Sequence, residues 1–279
     1  MDGSISADSA CKTECVRRPV IYFLPCISRA SARFIALSAL LFLSSVLISP
    51  VQSEDTDSDL ETALYMADVL RAARSEIASQ QPNINNELLG DKGLSGSVII
   101  DRTLTRLKEA GKPDPSQFPP SSRAGKIINA QLSAMEEIVD ENQSVINKKG
   151  VGFKGFVPAV FAQLSNERFS EKMDQIAEIK VTAPPQFVRN RKARPDKWEL
   201  STIETKFLAE EWQRGELYSE LTTNDNNASV FRVMVPEYYG EVCLACHGSP
   251  MGELDVTGYP KEGGQLDDLG GAISVTLYK

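Results

Sequence analysis

The stretch GEVCLACHGSP, Gly240 to Pro250, holds the only histidine of the 279 residues, directly after two cysteines in the spacing Cys-x-x-Cys-His. This spacing is the attachment signature of c-type haem, in which two sulfurs bond to the vinyl groups and the histidine ligates the iron. A zinc site would need more cysteine or histidine ligands than the chain offers after residue 53. A disulfide between Cys243 and Cys246 is the other alternative. The motif predicts one covalent haem c, with His247 on the iron.

The first 53 residues predict a signal peptide or leader. An apolar run, FIALSALLFLSSVLIS, follows Arg33 and is short for a membrane span. Val51 and Ser53 then fit a signal-peptidase site before Glu54. An uncleaved N-terminal anchor is the alternative interpretation. In both cases residues 54–279 are predicted to form a single periplasmic domain.

The predicted periplasmic part is acidic. The leader carries five basic and three acidic side chains, so residues 54–279 have a net charge of −10 against −8 for the whole chain. This charge disfavours non-specific binding to nucleic acid or anionic lipid. Because the only histidine is assigned to iron, the chain has no nucleophile–base pair to assemble. The sequence therefore predicts a non-enzymatic protein, with a haem peroxidase as the remaining enzymatic alternative.

Hydrophobic periodicity divides this part into a helical half, 54–172, and a half with strands, 173–279. The predicted helices cover about 58–81, 98–110, 123–144, 157–172 and 195–214. The first opens on a capping box formed by Ser58 and Glu61. The predicted strands are about 179–183, the arms ELYSELTT and VFRVMV of a hairpin around NDNN, and AISVTLY. A mostly antiparallel sheet beside helices is an α+β plan.

The helical half contains an internal repeat. The frame of Gln81, with Ile84, Asn85, Gly90, Lys92, Gly93 and Leu94, recurs 62 positions later from Gln143 to Phe156. The recurrence predicts a duplicated helix–loop–helix unit, and convergent helix-end chemistry is the alternative. Lys154, the counterpart of Lys92, is a candidate to hold a haem propionate, although such a lysine is more often solvated.

A basic segment, RNRKARP, interrupts the acidic chain. It carries Arg189, Arg191 and Arg194. Arginine is the usual bidentate partner of a carboxylate, so these three side chains are predicted to bind the haem propionates. A solvated surface loop is the alternative.

Four stretches carry a resemblance to a known family: FKGFVPAVFA, VRNRKARPDKWE, FRVMVPEYYGEVCLACHG and DVTGYPKEGGQLDDLGGAISV. Together they resemble exported single c-haem domains with a PAS-like fold, over about Leu64 to Leu277. Members of this family are free-standing, as in cyanobacterial haem proteins with His/Cys iron ligation, or are input domains of membrane signalling proteins. The resemblance implies a PAS-like sheet with helices packed around it and a role as redox or small-ligand sensor.

The chain departs from the His/Cys pattern of this family, because no cysteine outside the motif remains after residue 53. Methionine is the natural remaining distal ligand, and in the His/Cys relatives a residue of the first helix supplies the thiolate. Met66 is therefore the predicted sixth ligand, although a methionine that fills the core, or a vacant sixth position, is also compatible with the sequence. Met234 alternates with Arg232 and is predicted to lie away from the buried face of the sheet.

Two functions from different classes are compatible with these residues. The first is a sensor of redox state or of a diatomic gas that signals through a separate periplasmic partner. The second is a periplasmic carrier of single electrons, which tight His/Met ligation would favour. Since no kinase, cyclase or chemoreceptor segment follows the haem motif, the sequence predicts a free-standing cytochrome.

Overall fold

The computed structural model describes residues 51–224 and 226–279, with side chains from Thr56 onward. The predicted leader lies outside the described residues, apart from the backbone of residues 51–53. The described part is α+β, as the sequence predicts. Its helices are α1 (Val51–Ser79), α2 (Gln81–Ile84), α3 (Gly96–Glu109), α4 (Arg123–Glu141), α5 (Gln143–Ile146), α6 (Pro158–Lys172), α7 (Lys197–Thr202) and α8 (Glu241–His247). Its strands are β1 (Ala177–Thr182), β2 (Tyr218–Thr223), β3 (Ser229–Tyr238) and β4 (Leu269–Tyr278).

Helix α1 begins earlier than predicted. It starts at Val51, so Ser58 and Glu61 lie inside the helix and the predicted capping box is wrong. The backbone carbonyl of Ser58 instead accepts a hydrogen bond from the Thr62 hydroxyl at 2.8 Å. The apolar stripe of α1 packs against α3, α4 and α6. Within the described residues, no helix combines the length and the apolar character that crossing a membrane requires.

The repeat in the sequence is also a repeat in structure. A shift of 62 positions carries α2 onto α5, the start of α3 onto the start of α6, and the end of α1 onto the end of α4. The two intervening loops bond to each other in a reciprocal way. Gln81 Nε2 donates to the carbonyl of Phe156 at 3.0 Å, and Gln143 Nε2 donates to the carbonyl of Leu94 at 2.8 Å.

An asparagine in each loop also accepts a hydrogen bond from a backbone amide of the other loop. The backbone amide of Lys154 donates to Asn85 Oδ1 at 3.1 Å, and that of Lys92 donates to Asn147 Oδ1 at 2.9 Å. Each loop therefore satisfies polar groups of the other, which a single helix–loop–helix unit would leave exposed to water. The two helix–loop–helix units therefore have corresponding elements and reciprocal bonds, and their origin by duplication stays a prediction.

One antiparallel sheet, in the order β1-β4-β3-β2, follows the helical half. Its alternating side chains point to two different cores. Val233, Val235 and Val275 join the large cluster formed with the helices. Met234 and Ala272 point the other way, into a smaller cluster under Trp198.

Two predictions for this second face are wrong. Met234 is fully buried rather than turned away from a core, because Ile203 and Phe207 cover it. The helix predicted for 195–214 ends as an α-helix at Thr202 and continues only as a π-helical turn to Phe207. That turn directs Ile203 and Phe207 onto the sheet.

Ion pairs attach α1 to the end of β3. Arg71 Nε lies 2.5 Å from Glu237 Oε1, and Arg74 Nη1 lies 2.9 Å from Glu237 Oε2. Next to Glu237, the register of β3 against β4 shifts at Tyr238. The chain then leaves the sheet and enters the Cys-x-x-Cys-His segment, so the position of that segment is fixed by both the helices and the sheet.

Candidate functional site

The motif Cys243-x-x-Cys246-His247 lies on the short helix α8. Gly240 precedes the helix in an extended conformation, and Gly248 ends it. A side chain at Gly248 would place its Cβ 2.5 Å from the Leu244 carbonyl oxygen, so the close turn requires glycine. Residues three and four apart share one face of a helix, which brings the two sulfurs to the same side. Both cysteines are half-buried and both thiols are free.

A glycine-rich loop closes over the end of α8. The amide of Gly264 donates to the carbonyl of His247 at 2.8 Å, and the amide of Gly263 donates to that of Gly248 at 3.1 Å. A Cβ at Gly264 would lie 2.6 Å from the Tyr239 ring. The loop can therefore approach α8 this closely only because it lacks side chains at this point.

His247 is held by contacts on two sides. Its Nδ1 lies 3.0 Å from Glu262 Oε2, and its ring stacks on Tyr239 with centroids 5.1 Å apart and an interplanar angle of 19°. Burial, followed by the Arg189 guanidinium, lowers the pKa of His247, which favours the neutral imidazole. With the proton on Nδ1 facing the carboxylate, the Nε2 lone pair is left for a metal.

Arg189 ties the surrounding segments together. Its Nη2 donates to the carbonyl of Cys246 at 2.6 Å and to Glu262 Oε2 at 2.9 Å. Its Nη1 donates to Asp255 Oδ2 at 2.6 Å, and its Nε also bonds to Glu262. The two carboxylates neutralise this guanidinium. Arg191 and Arg194 follow Arg189 in the same basic segment, but their side chains are exposed to solvent.

Asp255 shapes the loop that faces the motif. Its side chain is fully buried and accepts hydrogen bonds from the amides of Thr257 and Tyr259 at 2.7 and 3.1 Å. These are the bonds of an Asx-type turn. Burial raises the pKa of the Cys246 thiol, and the Asp255 carboxylate raises it further. Both effects favour the protonated thiol over the thiolate.

Exposed apolar side chains are frequent in the chain segment that contains and follows the motif. Six large hydrophobic side chains between residues 242 and 266 are exposed: Val242, Met251, Leu254, Val256, Tyr259 and Leu266. Val242 is 86% exposed and Met251 is 76% exposed. Exposed apolar side chains concentrated in one segment mark a surface that another molecule covers. These side chains lie on the segment that also carries the two free thiols and the imidazole. No group of three or more His, Cys, Asp or Glu side chains within 56–224 and 226–279 is arranged to hold a bare metal ion.

Two of the predicted site residues lie apart from the motif. Met66 is fully buried in the large core cluster, which contains no residue of the segment 239–269. The Lys154 ammonium donates to the backbone carbonyls of Val151 and Asn86, at 2.8 and 3.4 Å, within the paired loops. Core packing and loop pairing account for these two side chains, and their roles at a haem stay predictions.

Glu262, Asp255 and Tyr239 are site residues that the sequence did not predict. Asp255 had a local signal, because aspartate before Thr257 and Gly258 is a common turn pattern. Glu262 had no such signal in the sequence, because it is 15 positions from His247 and the chain between them is irregular.

Comparison with models of known protein families gives a match over most of the chain. The chain matches the Tll0287-like family over residues 55–277, which includes the helical half, the sheet and the motif. The search of curated proteins found no match, and neither did the search of solved structures. The matched range covers most of the 279 residues and runs through every described element from α1 to β4. The chain belongs to the Tll0287-like family.

Proposed function

We propose that this protein is an exported c-type haem domain with a PAS-like sheet. Haem would be attached through Cys243 and Cys246, and its iron ligated by His247. The observation that carries the proposal is the arrangement on α8: two free thiols beside an imidazole whose Nδ1 is bonded to Glu262. The exposed apolar side chains of the segment that contains and follows the motif support it, because an apolar macrocycle would cover them better than a hydrated ion.

The protein groups around the motif have distinct tasks. When bound, the haem would supply a one-electron couple and an iron that can take a ligand from the protein or from solution. Glu262 orients the imidazole and holds the proton on Nδ1. Arg189 holds the carbonyl of Cys246 and fixes the end of α8. Because Arg189 is neutralised by Asp255 and Glu262, the exposed Arg191 and Arg194 are the better candidates for the propionates.

Sensing is the biological role that the contacts of the motif favour. Tyr239 stacks on His247 and also bonds through its backbone to Asp267 and Asp268, directly before β4. Its ring lies so close to Gly270 that a Cβ there would be 2.3 Å from Cε1. A displacement of His247 would therefore reach the start of β4 through one rigid ring. A separate periplasmic partner would read that change.

The distal side of the iron separates sensing from electron transfer. Met66 packs in a core cluster that excludes the motif segment, which favours a sixth position open to an external diatomic ligand. Electron transfer is the second candidate, because the exposed residues around Val242 would let a redox partner approach the haem edge.

Optical spectra of the purified holoprotein test the proposal. A sensor with an open position should bind carbon monoxide in the ferrous state within mixing time and shift its Soret band. A six-coordinate carrier should show the same ferrous spectrum with and without carbon monoxide, and that result would overturn sensing of a diatomic gas. A protein without any haem spectrum after expression with the c-type maturation machinery would overturn the haem proposal itself.

A further inference from the structure

We propose that Glu262 is the positioning residue of the iron ligand His247, and that its carboxylate holds the reduction potential low. This inference rests on the proposed haem function and deepens it. The reduction potential of the haem iron would then depend on Glu262 as well as on the sixth ligand.

The geometry of the pair is that of a charge-assisted hydrogen bond. Glu262 Oε2 lies 3.0 Å from His247 Nδ1, and the exposed fractions of the two side chains are 13% and 31%. Burial at this level weakens the screening by water, so the carboxylate acts strongly on the ring. A histidine that donates its second nitrogen proton to a carboxylate is a stronger and better oriented metal ligand.

The carboxylate is itself fixed, which a surface glutamate would not be. Both of its oxygens accept from the Arg189 guanidinium, through Nε and Nη2. The next two residues, Gly263 and Gly264, bond to the carbonyls at the end of α8. Glu262 is therefore anchored through its side chain and through the backbone that follows it. These contacts fix the position of the Glu262 carboxylate relative to His247.

The other face of the imidazole is also restrained. Tyr239 stacks on it and is itself only 7% exposed. The stacked ring therefore limits tilting of the imidazole out of its plane. A negative charge held beside the ligand favours ferric over ferrous iron, since the oxidised centre carries one more positive charge. Removal of that charge should raise the potential.

The experiment compares three variants after mass spectrometry has shown one covalent haem in each. Glu262→Gln keeps the size of the side chain and removes its charge, and Glu262→Asp keeps the charge at a longer distance. Glu253→Gln makes the same charge change on the same loop at a side chain that contacts Lys261 rather than His247. Glu262→Gln should shift the reduction equilibrium about tenfold toward ferrous, about 59 mV for one electron. Glu262→Asp should restore part of the shift, and Glu253→Gln should stay near the wild type.

A second readout does not depend on the potentials of the variants. In the wild-type ferrous protein, the Nδ1 proton of His247 should give a downfield NMR signal that exchanges slowly with water, and Glu262→Gln should move it upfield. The results that would overturn the role of Glu262 differ from those that would overturn the haem proposal. Attached haem with equal potentials in Glu262→Gln and Glu253→Gln, or a rapidly exchanging Nδ1 proton, would overturn the role of Glu262 alone. A wild type without haem would overturn the haem proposal and the inference with it.

Discussion

Met66 and Met135 are both buried thioethers of the same helical core. The sequence distinguishes them only by the position of their helices, and the resemblance to His/Cys proteins selects Met66 as the iron ligand. In the structure both are fully enclosed by apolar neighbours. Core packing explains the burial of both side chains. The spectra of the two alanine variants can therefore show whether Met66 is also an iron ligand.

We expect Met66→Ala and Met135→Ala to behave alike. Each should lower the free energy of unfolding by about 2–5 kcal/mol, the usual cost of truncating a buried methionine. Neither should change the binding of carbon monoxide or the ferric spectrum. Denaturant unfolding and optical titration measure both properties. If Met66→Ala alone removes a thioether-to-iron charge-transfer band and opens the iron to carbon monoxide, Met66 is the sixth ligand.

Asp255 is the residue on which the loop over the motif depends. It is fully buried and bonds to Arg189 at 2.6 Å. Asp255→Asn should cost about 1–3 kcal/mol in unfolding free energy, because Arg189 loses a charged acceptor in a desolvated site. The matched control is Asp267→Asn, where the lost partner is the exposed Arg214 and the cost should stay below about 1 kcal/mol. Equal costs for the two variants would contradict the role given to Asp255.

The paired loops show how elements cooperate in this chain. The sequence predicts the two units from their shared residues, because helix periodicity and loop glycines are local signals. It does not predict that Asn85 of one loop would bond to Lys154 of the other. That exchange depends on how α1 and α4 pack, which is a tertiary property.

Loss of either asparagine should uncouple both loops. Asn85→Ala and Asn147→Ala each remove the acceptor of a part-buried amide, so each should lower stability by about 1–3 kcal/mol. The double variant should cost less than the sum if the two bonds support one shared interface. Asn86→Ala, whose Oδ1 accepts only from the exposed amide of Leu88, is the control and should have a small effect. Urea unfolding of the wild type and these four variants measures this, and strict additivity would argue against a shared interface.

The ion pairs between α4 and α6 predict a dependence on pH. Hydrogen bonds from Lys172 and then Arg168 lower the pKa of Glu137 to about 2. Because the folded pKa is below the unfolded value, this stabilisation is complete above about pH 4.5 and is lost as the pH falls toward about 2. Glu137 is partly exposed, so the contribution should be about 1 kcal/mol or less. Thermal unfolding between these pH values should show a flatter profile for Glu137→Gln than for the wild type. Glu171→Gln, a more exposed change on α6, should keep the wild-type profile.

For the molecule as a whole, the sequence predicts the α+β class, the β2–β3 hairpin and the order of helices before strands. These features depend on local periodicity and on turn residues. The site could be predicted only at its centre, in the motif itself. Arg189 reaches Cys246 across 57 residues and Glu262 reaches His247 across 15. Such contacts depend on the path of two irregular loops, and no periodic pattern describes them.

Covalent attachment of haem is decided by the mass of the intact protein after expression with the c-type haem maturation machinery. We predict a wild-type mass that exceeds the polypeptide mass by one haem and that persists on denaturation. The variant with both Cys243→Ser and Cys246→Ser should have the polypeptide mass alone. A wild type that also has only the polypeptide mass, with its two motif thiols free or joined in a disulfide, would contradict the assignment of this protein as a c-type haem domain.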